Sequence, residues 1–329
     1  MKESRLTLVY RRRPANEPVS ASGFLRSTGV RRVKDAISLT IHYVMILSLS
    51  FVFLYPMLYM ISQSFMTGQD VADALVQWIP KSLKFENFIY AFNSLSYMKH
   101  FKNSVIISLG GALLQLFGCA LAGYGFARYR FPGYTILMVL LLFTFLVPPQ
   151  SIVVPLFLLF SDLKMMNTYM PLLVPNFFGH GLRGALFVLV YMQFFRGLPH
   201  QLEEAAKIDG AGPWRTFISI MVPMAKPAIL VVFLFSIVWH WNDSFFPNLY
   251  LNKTDSFTLN QKLGTIEVTK EKDETGMKQD SKDVIGELPT NHEKLMAGAF
   301  LTILPILLLY LFTQRYFVES VERTGIAGE

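Results

Sequence analysis

The sequence is poor in cysteine and in charged residues. Only one of its 329 residues is a cysteine, and only 16% are charged. The single cysteine excludes an internal disulfide and a cysteine-based metal site. In contrast, 52% of the residues are hydrophobic, and phenylalanine alone occurs 29 times. This composition is typical of a chain whose solvent is largely lipid.

The sequence also lacks common signatures of nucleotide hydrolysis and metal catalysis. It contains no Gly-x-x-x-x-Gly-Lys-[Ser/Thr] phosphate-binding loop and no His-Glu-x-x-His zinc motif. Glu203 and Glu204 are adjacent, so their carboxylates would not face each other on a helix as a catalytic pair would. We therefore expect no catalytic residue, no metal site and no cofactor in this chain.

A basic, polar extension precedes the first apolar stretch. Nine of the 30 lysines and arginines come before Asp35. Such a cluster directly before an apolar stretch is typical of membrane-flanking sequence, so we expect no nucleic-acid partner. Residues 1–36 contain too little apolar surface to form a core, and we predict that they are largely disordered.

Six apolar stretches are long enough to cross a bilayer, which takes about 20 residues in a helix. They cover residues 37–62, 103–127, 134–160, 168–195, 228–246 and 295–317. The second stretch is rich in glycine and alanine, which predicts close packing inside a helix bundle. Prolines within the third stretch predict a kinked helix, and the fourth is expected to begin with an irregular segment. The predicted fold is an all-α, multi-pass membrane protein.

The arginines predict the orientation of these spans. Of the 14 arginines, 13 fall on one side of the predicted membrane, and Arg183 lies within a span. Positive residues accumulate on the cytoplasmic side of membrane proteins. Both termini, the tail 318–329 and the insert 199–223 are thus predicted to be cytoplasmic. Residues 248–294 would form a long, polar outer loop.

The cytoplasmic insert is predicted to be two short helices joined by a tight turn. Pro199 and Pro213 can each open a helix, while Gly210 suits the left-handed position that follows a helix end. Pro223 and Pro227 should end the second helix. Each helix has an apolar stripe: Leu202, Ala205 and Ala206 on the first, and Trp214, Phe217, Ile218 and Met221 on the second. We expect the first stripe to face a partner protein and the second to pack on this chain's own helix ends.

This insert resembles the EAA motif of ABC importer permeases. The matching residues are Glu204, Ala205, Ala206, Asp209, Gly210, Ala211, Phe217, Ile220 and Pro223. Further stretches resemble the carbohydrate-type, maltose permease-like branch of that family. They include Ala122–Arg128, Asn167-Thr168-Tyr169 and Trp241-Asn242-Asp243. The resemblance implies a MetI-like permease fold.

The resemblance also implies how the protein works and what it binds. It implies a non-catalytic subunit in the bacterial cytoplasmic (inner) membrane that imports a saccharide, with an oligosaccharide as the expected cargo. Its implied partners are a second, related permease subunit in a heterodimer, two ATP-binding subunits and an extracytoplasmic solute-binding protein. ATP and Mg²⁺ would be bound by the ATP-binding subunits, against which the coupling residues around Glu204 would dock. The alternatives are an ABC permease for amino acids or anions and, less favoured, a secondary transporter or a membrane enzyme.

Polar residues inside predicted spans are candidates for the solute pathway, because such groups are costly in lipid and usually face a bundle interior. The candidates are His180, Arg183, Trp239, Trp241, Asn242 and Asp243. For the last four, which lie in the fifth stretch, anchoring at the membrane interface and helix capping by Asp243 are an equally good interpretation. His240 is expected to pack through hydrogen bonds. The polar loop 252–293 is expected to be solvated, with docking of the solute-binding protein as the sharper hypothesis.

Overall fold

A computed structural model describes residues 21–73, 75–76, 78–265 and 292–326, with side chains from residue 36 to residue 315 within those ranges. Its helices, named in chain order, are α1 (Ala21–Ser64), α2 (Gly68–Ala72), α3 (Glu86–Ser94), α4 (Tyr97–Arg128), α5 (Tyr134–Leu146), α6 (Val153–Asp162), α7 (Met170–Phe177), α8 (Gly184–Gly197), α9 (Gln201–Ile208), α10 (Pro213–Thr216), α11 (Val222–Met224), α12 (Lys226–Asn242), α13 (Phe245–Tyr250), α14 (Leu259–Leu263) and α15 (His292–Ile326). Short 3₁₀ turns at Pro149–Ile152 and Thr254–Ser256 and a π-helical turn at Phe217–Met221 complete the described elements. Every regular element in the described ranges is therefore helical.

The chain divides into two units, residues 1–58 and 59–329. In the first unit, every described side chain from residue 36 to residue 56 is exposed. A helix that is apolar on all sides is suited to lipid.

α1 already begins at Ala21, so the prediction of disorder is wrong for residues 21–36. No proline follows Pro18 in that stretch, and nothing there interrupts a helix. Residues 1–20 lie outside the described part of the chain.

Three described helices are long and apolar enough to cross a membrane: Ala36–Ser64, Tyr97–Arg128 and His292–Arg315. Two further candidates are bent pairs, Tyr134–Leu146 with Pro149–Asp162 and Pro213–Met224 with Lys226–Asn242. Gly184–Gly197 is apolar but has only 14 residues. The predicted count of six crossings thus stays a prediction.

The third predicted span is not one kinked helix. α5 and the helix beginning at Pro149 meet at 105°. Each residue before a proline is pushed away from helical geometry. Val147 and Pro148 both precede a proline, and both are extended, with ψ angles of 122° and 134°. Two consecutive prolines therefore break the helix, where a single proline would only bend it.

The fourth predicted span also differs from its prediction. Thr168 and Tyr169 at its start are non-helical, as predicted, but a longer irregular segment lies in its middle, between α7 and α8. Gly179 and Arg183 in this segment have positive φ angles of 71° and 59°. The left-handed conformation cannot continue a right-handed helix, so α7 ends before this segment and α8 begins after it.

α4 forms the centre of the second unit, with α7, α8 and α12 packed around it. A Cβ atom on Gly118 would lie 2.3 Å from the carbonyl oxygen of Phe177, and one on Gly123 would lie 2.6 Å from Cβ of Tyr191. The prediction of close helix approach is confirmed at these two glycines. Gly125 has nothing within 4 Å of its Cβ position, so its small size serves no described contact.

Candidate functional site

The turn within the insert 199–223 has the geometry predicted for it. α9 ends at Ile208, and Gly210 has a φ of +76°. The N–H of Ala211 donates to the carbonyl oxygen of Ala206 at 2.9 Å, and the N–H of Gly210 donates to that of Lys207 at 3.0 Å. This pair of bonds is the Schellman arrangement, which satisfies carbonyl groups that a helix end otherwise leaves unpaired. The prediction for Gly210 is confirmed.

The second half of the insert continues further than predicted. After α10, the N–H of Val222 donates to the carbonyl oxygen of Phe217, five residues earlier, as in a π-helix. Pro223 lies inside the helical run and does not end it; the run ends at Met224, and α12 starts at Lys226. The wider π turn is compatible with Pro223, which has no N–H and would crowd an ordinary α-helical turn.

The insert has one buried face and one exposed face. Phe217 is only 3% exposed and packs with Tyr124 and Phe195, at ring-centroid distances of 5.1 and 6.4 Å. Ala206 is also buried, at 3% exposed. These two residues join the insert to the rest of the chain. The prediction that Ala206 faces a partner is therefore wrong, because the short methyl side chain points back into its own fold.

The exposed face consists of polar and large apolar residues together. Its apolar members are Ile208, Trp214 and Ile218, at 86%, 60% and 59% exposed. The prediction that Trp214 and Ile218 pack on this chain is wrong, because the residues that this helical run buries are Thr216, Phe217 and Met221. The coupling residues on this exposed face are Glu204, Ala205, Asp209, Gly210 and Pro223, with Ala211 and Ile220 half-buried.

An ion pair connects α9 to the end of α4. Nε of Arg128 lies 3.3 Å from Oε1 of Glu203, with the two side chains only 1% and 12% exposed. Nη2 of Arg128 donates to the carbonyl oxygen of Leu198 at 2.7 Å, and its Nη1 lies 3.1 Å from Nδ1 of His200. Removing one partner of a buried ion pair typically costs about 3–5 kcal/mol, because the other charge is left unpaired. The Glu203 side chain therefore points toward the end of α4, whereas the neighbouring Glu204 is exposed.

A cavity of about 530 Å³ lies where the interrupted helices meet. It is lined by the α5–α6 bend, the irregular segment between α7 and α8, and the end of α12. Among the predicted pathway residues, His180, Arg183 and Asp243 line it. His240 and Gln150 line it as well. The helices are interrupted at prolines and at left-handed residues. These interruptions create the space, because continuous helices would pack along their whole length.

The other three pathway candidates do not reach the cavity. Trp239 lies under Arg183, whose guanidinium carbon is 5.6 Å from the indole ring centroid. Trp241 is buried and donates from Nε1 to the carbonyl oxygen of Thr302 at 3.1 Å. The carbonyl of Asn242 accepts a bond from Asn260. Asp243 lines the cavity and also caps the next helix. Its Oδ1 accepts a hydrogen bond from the N–H of Phe245 at 2.9 Å, at the start of α13.

A buried polar network runs beside the cavity. Ser236 donates to Oε1 of Gln115 at 2.6 Å, and Nε2 of Gln115 donates to the carbonyl oxygen of Leu182 at 2.8 Å. Nδ1 of His240 lies 2.7 Å from the carbonyl oxygen of Ser236, and its Nε2 lies 3.3 Å from Oδ1 of Asn176. The network joins α4, α7 and α12. The prediction that His240 packs through hydrogen bonds is confirmed.

Sequence reasoning missed Arg128, Glu203, Gln115 and Asn176. The polar residues Gln115 and Asn176 lie within apolar stretches, and that contrast was the available signal. No local signal indicates that Arg128 pairs with Glu203, since 75 positions separate them in the chain and only the fold brings them together.

The chain is similar to known proteins. Residues 115–323 match the family described as "Binding-protein-dependent transport system inner membrane component". The chain is 30% identical, over 85% of its length and 93% of the relative's, to the arabinooligosaccharides transport system permease protein AraQ of Halalkalibacterium halodurans. It is 29% identical, over 86% of its length and 87% of the relative's, to the diacetylchitobiose uptake system permease protein NgcG of Streptomyces coelicolor.

The fold has a solved counterpart. A chain in the crystal structure of a bacterial ABC transporter involved in alginate import matches with a TM-score of 0.69 at 22% identity. The match covers 86% of this chain and 98% of the other. The predicted all-helical, MetI-like permease fold is thereby confirmed. With the family match extending over most of the chain, this protein belongs to the inner membrane components of binding-protein-dependent transport systems.

Proposed function

We propose that this chain is the permease subunit of an ABC importer that moves a saccharide, specifically an oligosaccharide, into the bacterial cell. The observation that supports the proposal best is the two-faced insert. Its buried face joins it to the membrane helices through Phe217, and its exposed face presents Ile208 and Trp214. Large apolar side chains exposed next to charged ones are typical of a protein interface.

The exposed face is the proposed docking site for an ATP-binding subunit. Glu204 and Ala205 lie on one turn of α9, and Asp209 and Gly210 follow at its end. The small alanine allows close approach of a partner, and the acidic first turn is favoured by the helix dipole. ATP and Mg²⁺ are held by the partner in this proposal, and this chain contributes motion and not catalysis.

The proposed assembly contains a second, related permease subunit, two ATP-binding subunits and an extracytoplasmic solute-binding protein. We propose that both termini and the insert are cytoplasmic, with residues 248–294 outside. Most of that loop, residues 266–291, lies outside the described part of the chain. The orientation is supported by the distribution of arginine, which accumulates on the cytoplasmic side.

The proposed cargo is supported by the names of the relatives and by the cavity. AraQ and NgcG are named for the transport of arabinooligosaccharides and diacetylchitobiose. The cavity of about 530 Å³ falls within the range of about 300–1,000 Å³ common for ligand sites. His180, Arg183 and Asp243 along its wall can donate or accept hydrogen bonds. Sugar hydroxyl groups need such partners when they leave water.

Gly210→Pro tests the docking role. Proline cannot adopt the φ of +76° found at Gly210, and it lacks the N–H that bonds Lys207. We expect the variant to insert in the membrane but to lose co-purification with the ATP-binding subunit. Gly212→Ala is the matched control, because its φ is −72° and its Cβ position has nothing within 4 Å. Undiminished co-purification of Gly210→Pro would refute the docking role.

A separate experiment tests the cargo. The solute-binding protein of the same system is screened by thermal shift against monosaccharides, oligosaccharides, amino acids and inorganic anions. Uptake of each stabilising compound is then measured in proteoliposomes that contain the whole transporter. We expect stabilisation and uptake for an oligosaccharide. Uptake restricted to amino acids or anions would replace the saccharide with that class.

A further inference from the structure

We propose that Arg128 is a positioning residue that makes the coupling helix α9 and the central helix α4 move as one body. The proposal rests on the proposed function, since it concerns how a push on α9 reaches the membrane helices. It starts from the ion pair between Arg128 and Glu203, in which the arginine side chain is 1% exposed and the glutamate side chain 12%. This pair joins the last residue of α4 to the first turn of α9.

Arg128 holds the connection before α9 as well as the helix itself. Its Nη2 donates to the carbonyl oxygen of Leu198 at 2.7 Å, and its Nη1 lies 3.1 Å from Nδ1 of His200. One planar guanidinium thus bonds both ends of the turn that leads into α9. A guanidinium has five donors in a fixed fork, so its contacts constrain orientation as well as distance. Lysine has no equivalent fork.

α9 has little else that attaches it to its own chain. Of its eight residues, only Ala206 is buried. Leu202 and Glu203 are half-buried, so the apolar contacts of α9 consist of one buried methyl group and part of one leucine side chain, which contribute little packing energy. The position of α9 relative to α4 therefore depends strongly on the polar contacts of Arg128.

α4 is the helix through which such a motion would reach the solute pathway. It packs with α7, α8 and α12, the helices that flank the cavity, and its own Ile107 lines the cavity wall. Its glycines bring α7 and α8 into backbone contact, so α4 cannot shift without moving them. A displacement of α9, transmitted by Arg128, would therefore change the cavity.

The experiment uses the complete transporter in proteoliposomes, with its ATP-binding subunits and solute-binding protein. Glu203→Gln is the principal variant, because it keeps the shape of the side chain and removes its charge. Arg128→Gln and Arg128→Lys accompany it. Arg130→Gln is the matched control, since Arg130 is exposed, lies over the Tyr134 ring at 4.4 Å and follows α4 in the same connection. Solute import, ATP hydrolysis and co-purification of the ATP-binding subunit are measured for each variant.

We expect Glu203→Gln to keep the ATP-binding subunit bound and to raise the ATP hydrolysed per solute imported by at least about fivefold, the lower end of typical coupling between sites. Arg128→Gln should behave in the same way, and Arg128→Lys should recover only part of the coupling. Arg130→Gln should match the wild type. This pattern separates a positioning role from a merely structural one, because lost stability would lower hydrolysis and import together.

Wild-type coupling in Glu203→Gln would overturn the inference, even if Arg128→Gln fails to fold. A loss of ATPase binding equal to the loss of import would also overturn it, since Arg128 would then serve assembly and not transmission. If the wild-type chain itself does not bind the ATP-binding subunit, the proposed function is wrong and the inference is wrong with it. The two failures are thus distinguishable by the wild-type measurement.

Discussion

Helices α4 and α5 are both apolar, yet they occupy opposite environments. α4 has thirteen buried residues and forms the centre of the second unit, whereas α5 has none. α5 is nevertheless the more uniformly apolar of the two, with threonine and tyrosine as its only polar residues. α4 contains five glycines as well as buried polar residues such as Gln115 and Asn103.

The comparison shows that apolarity does not predict burial in this protein. Lipid tails are as apolar as leucine, so an apolar face gains little by leaving lipid for another helix. Small residues that allow close approach and polar residues that need partners do predict burial. Variants of Gly118 and Gln115 test this explanation, and a variant of Phe217, whose expected effect is intermediate, tests the two faces of the insert.

Gly118→Ala should have the largest effect. Its Cβ would lie 2.3 Å from the carbonyl oxygen of Phe177 and 2.7 Å from the backbone nitrogen of Gly179. Backbone atoms cannot rotate away, so α4 and α7 would have to separate, and we expect loss of the folded, monodisperse protein in detergent. Gly125→Ala should leave it intact, since nothing lies within 4 Å of that position. Equal behaviour of the two variants in size-exclusion profiles and thermal unfolding would contradict the close-packing explanation.

Phe217→Ala should come next, because it removes the ring that packs the insert on α4 through Tyr124. Truncating a buried phenylalanine typically lowers the free energy of unfolding by about 3–5 kcal/mol. Trp214→Ala on the exposed face should change stability by less than about 0.5 kcal/mol but weaken binding of the ATP-binding subunit. The measurements are unfolding of the purified chain and binding to that subunit. If Trp214→Ala lowered stability and left binding unchanged, the assignment of Trp214 to the docking face would be wrong.

Gln115→Leu should have the smallest effect of the three. It leaves Ser236 without its acceptor and the carbonyl of Leu182 without its donor. Hydrogen bonds between membrane helices contribute about 1–2 kcal/mol in model systems, so a modest drop in unfolding temperature is expected. Thr144→Val on α5 is the control, because Thr144 bonds only the Leu141 carbonyl of its own helix at 2.7 Å among the contacts described for it. An unchanged unfolding temperature for Gln115→Leu would show that this network adds no stability.

The turn of the insert could be predicted from the sequence, but the outward and inward faces of its helices and most of the cavity could not. The turn at Gly210 depends on the chemistry of one residue and its immediate neighbours, so its left-handed φ was predictable. The break at Pro148 and Pro149 was predictable as a disturbance, but its angle of 105° was not. An angle depends on what the two helices pack against, and those contacts involve residues far away in the chain.

The pathway candidates show the same limit. Polarity within apolar stretches selected His180, Arg183 and Asp243, and all three line one cavity. The same criterion selected Trp241, which is buried and bonded to the carbonyl of Thr302. Polarity indicates that a side chain needs a partner, but it does not indicate whether the partner is a solute or another helix.

By itself the sequence determined the apolar stretches, the breaks at prolines and the turn at Gly210, since each depends on residue type and local spacing. It also determined the family, through a motif that lies within one short insert. Only the tertiary structure decided that Glu203 points inward to Arg128 while Glu204 points outward. The two glutamates have the same chemistry and adjacent positions, so only the direction of the helix and the arrival of α4 beside it distinguish them.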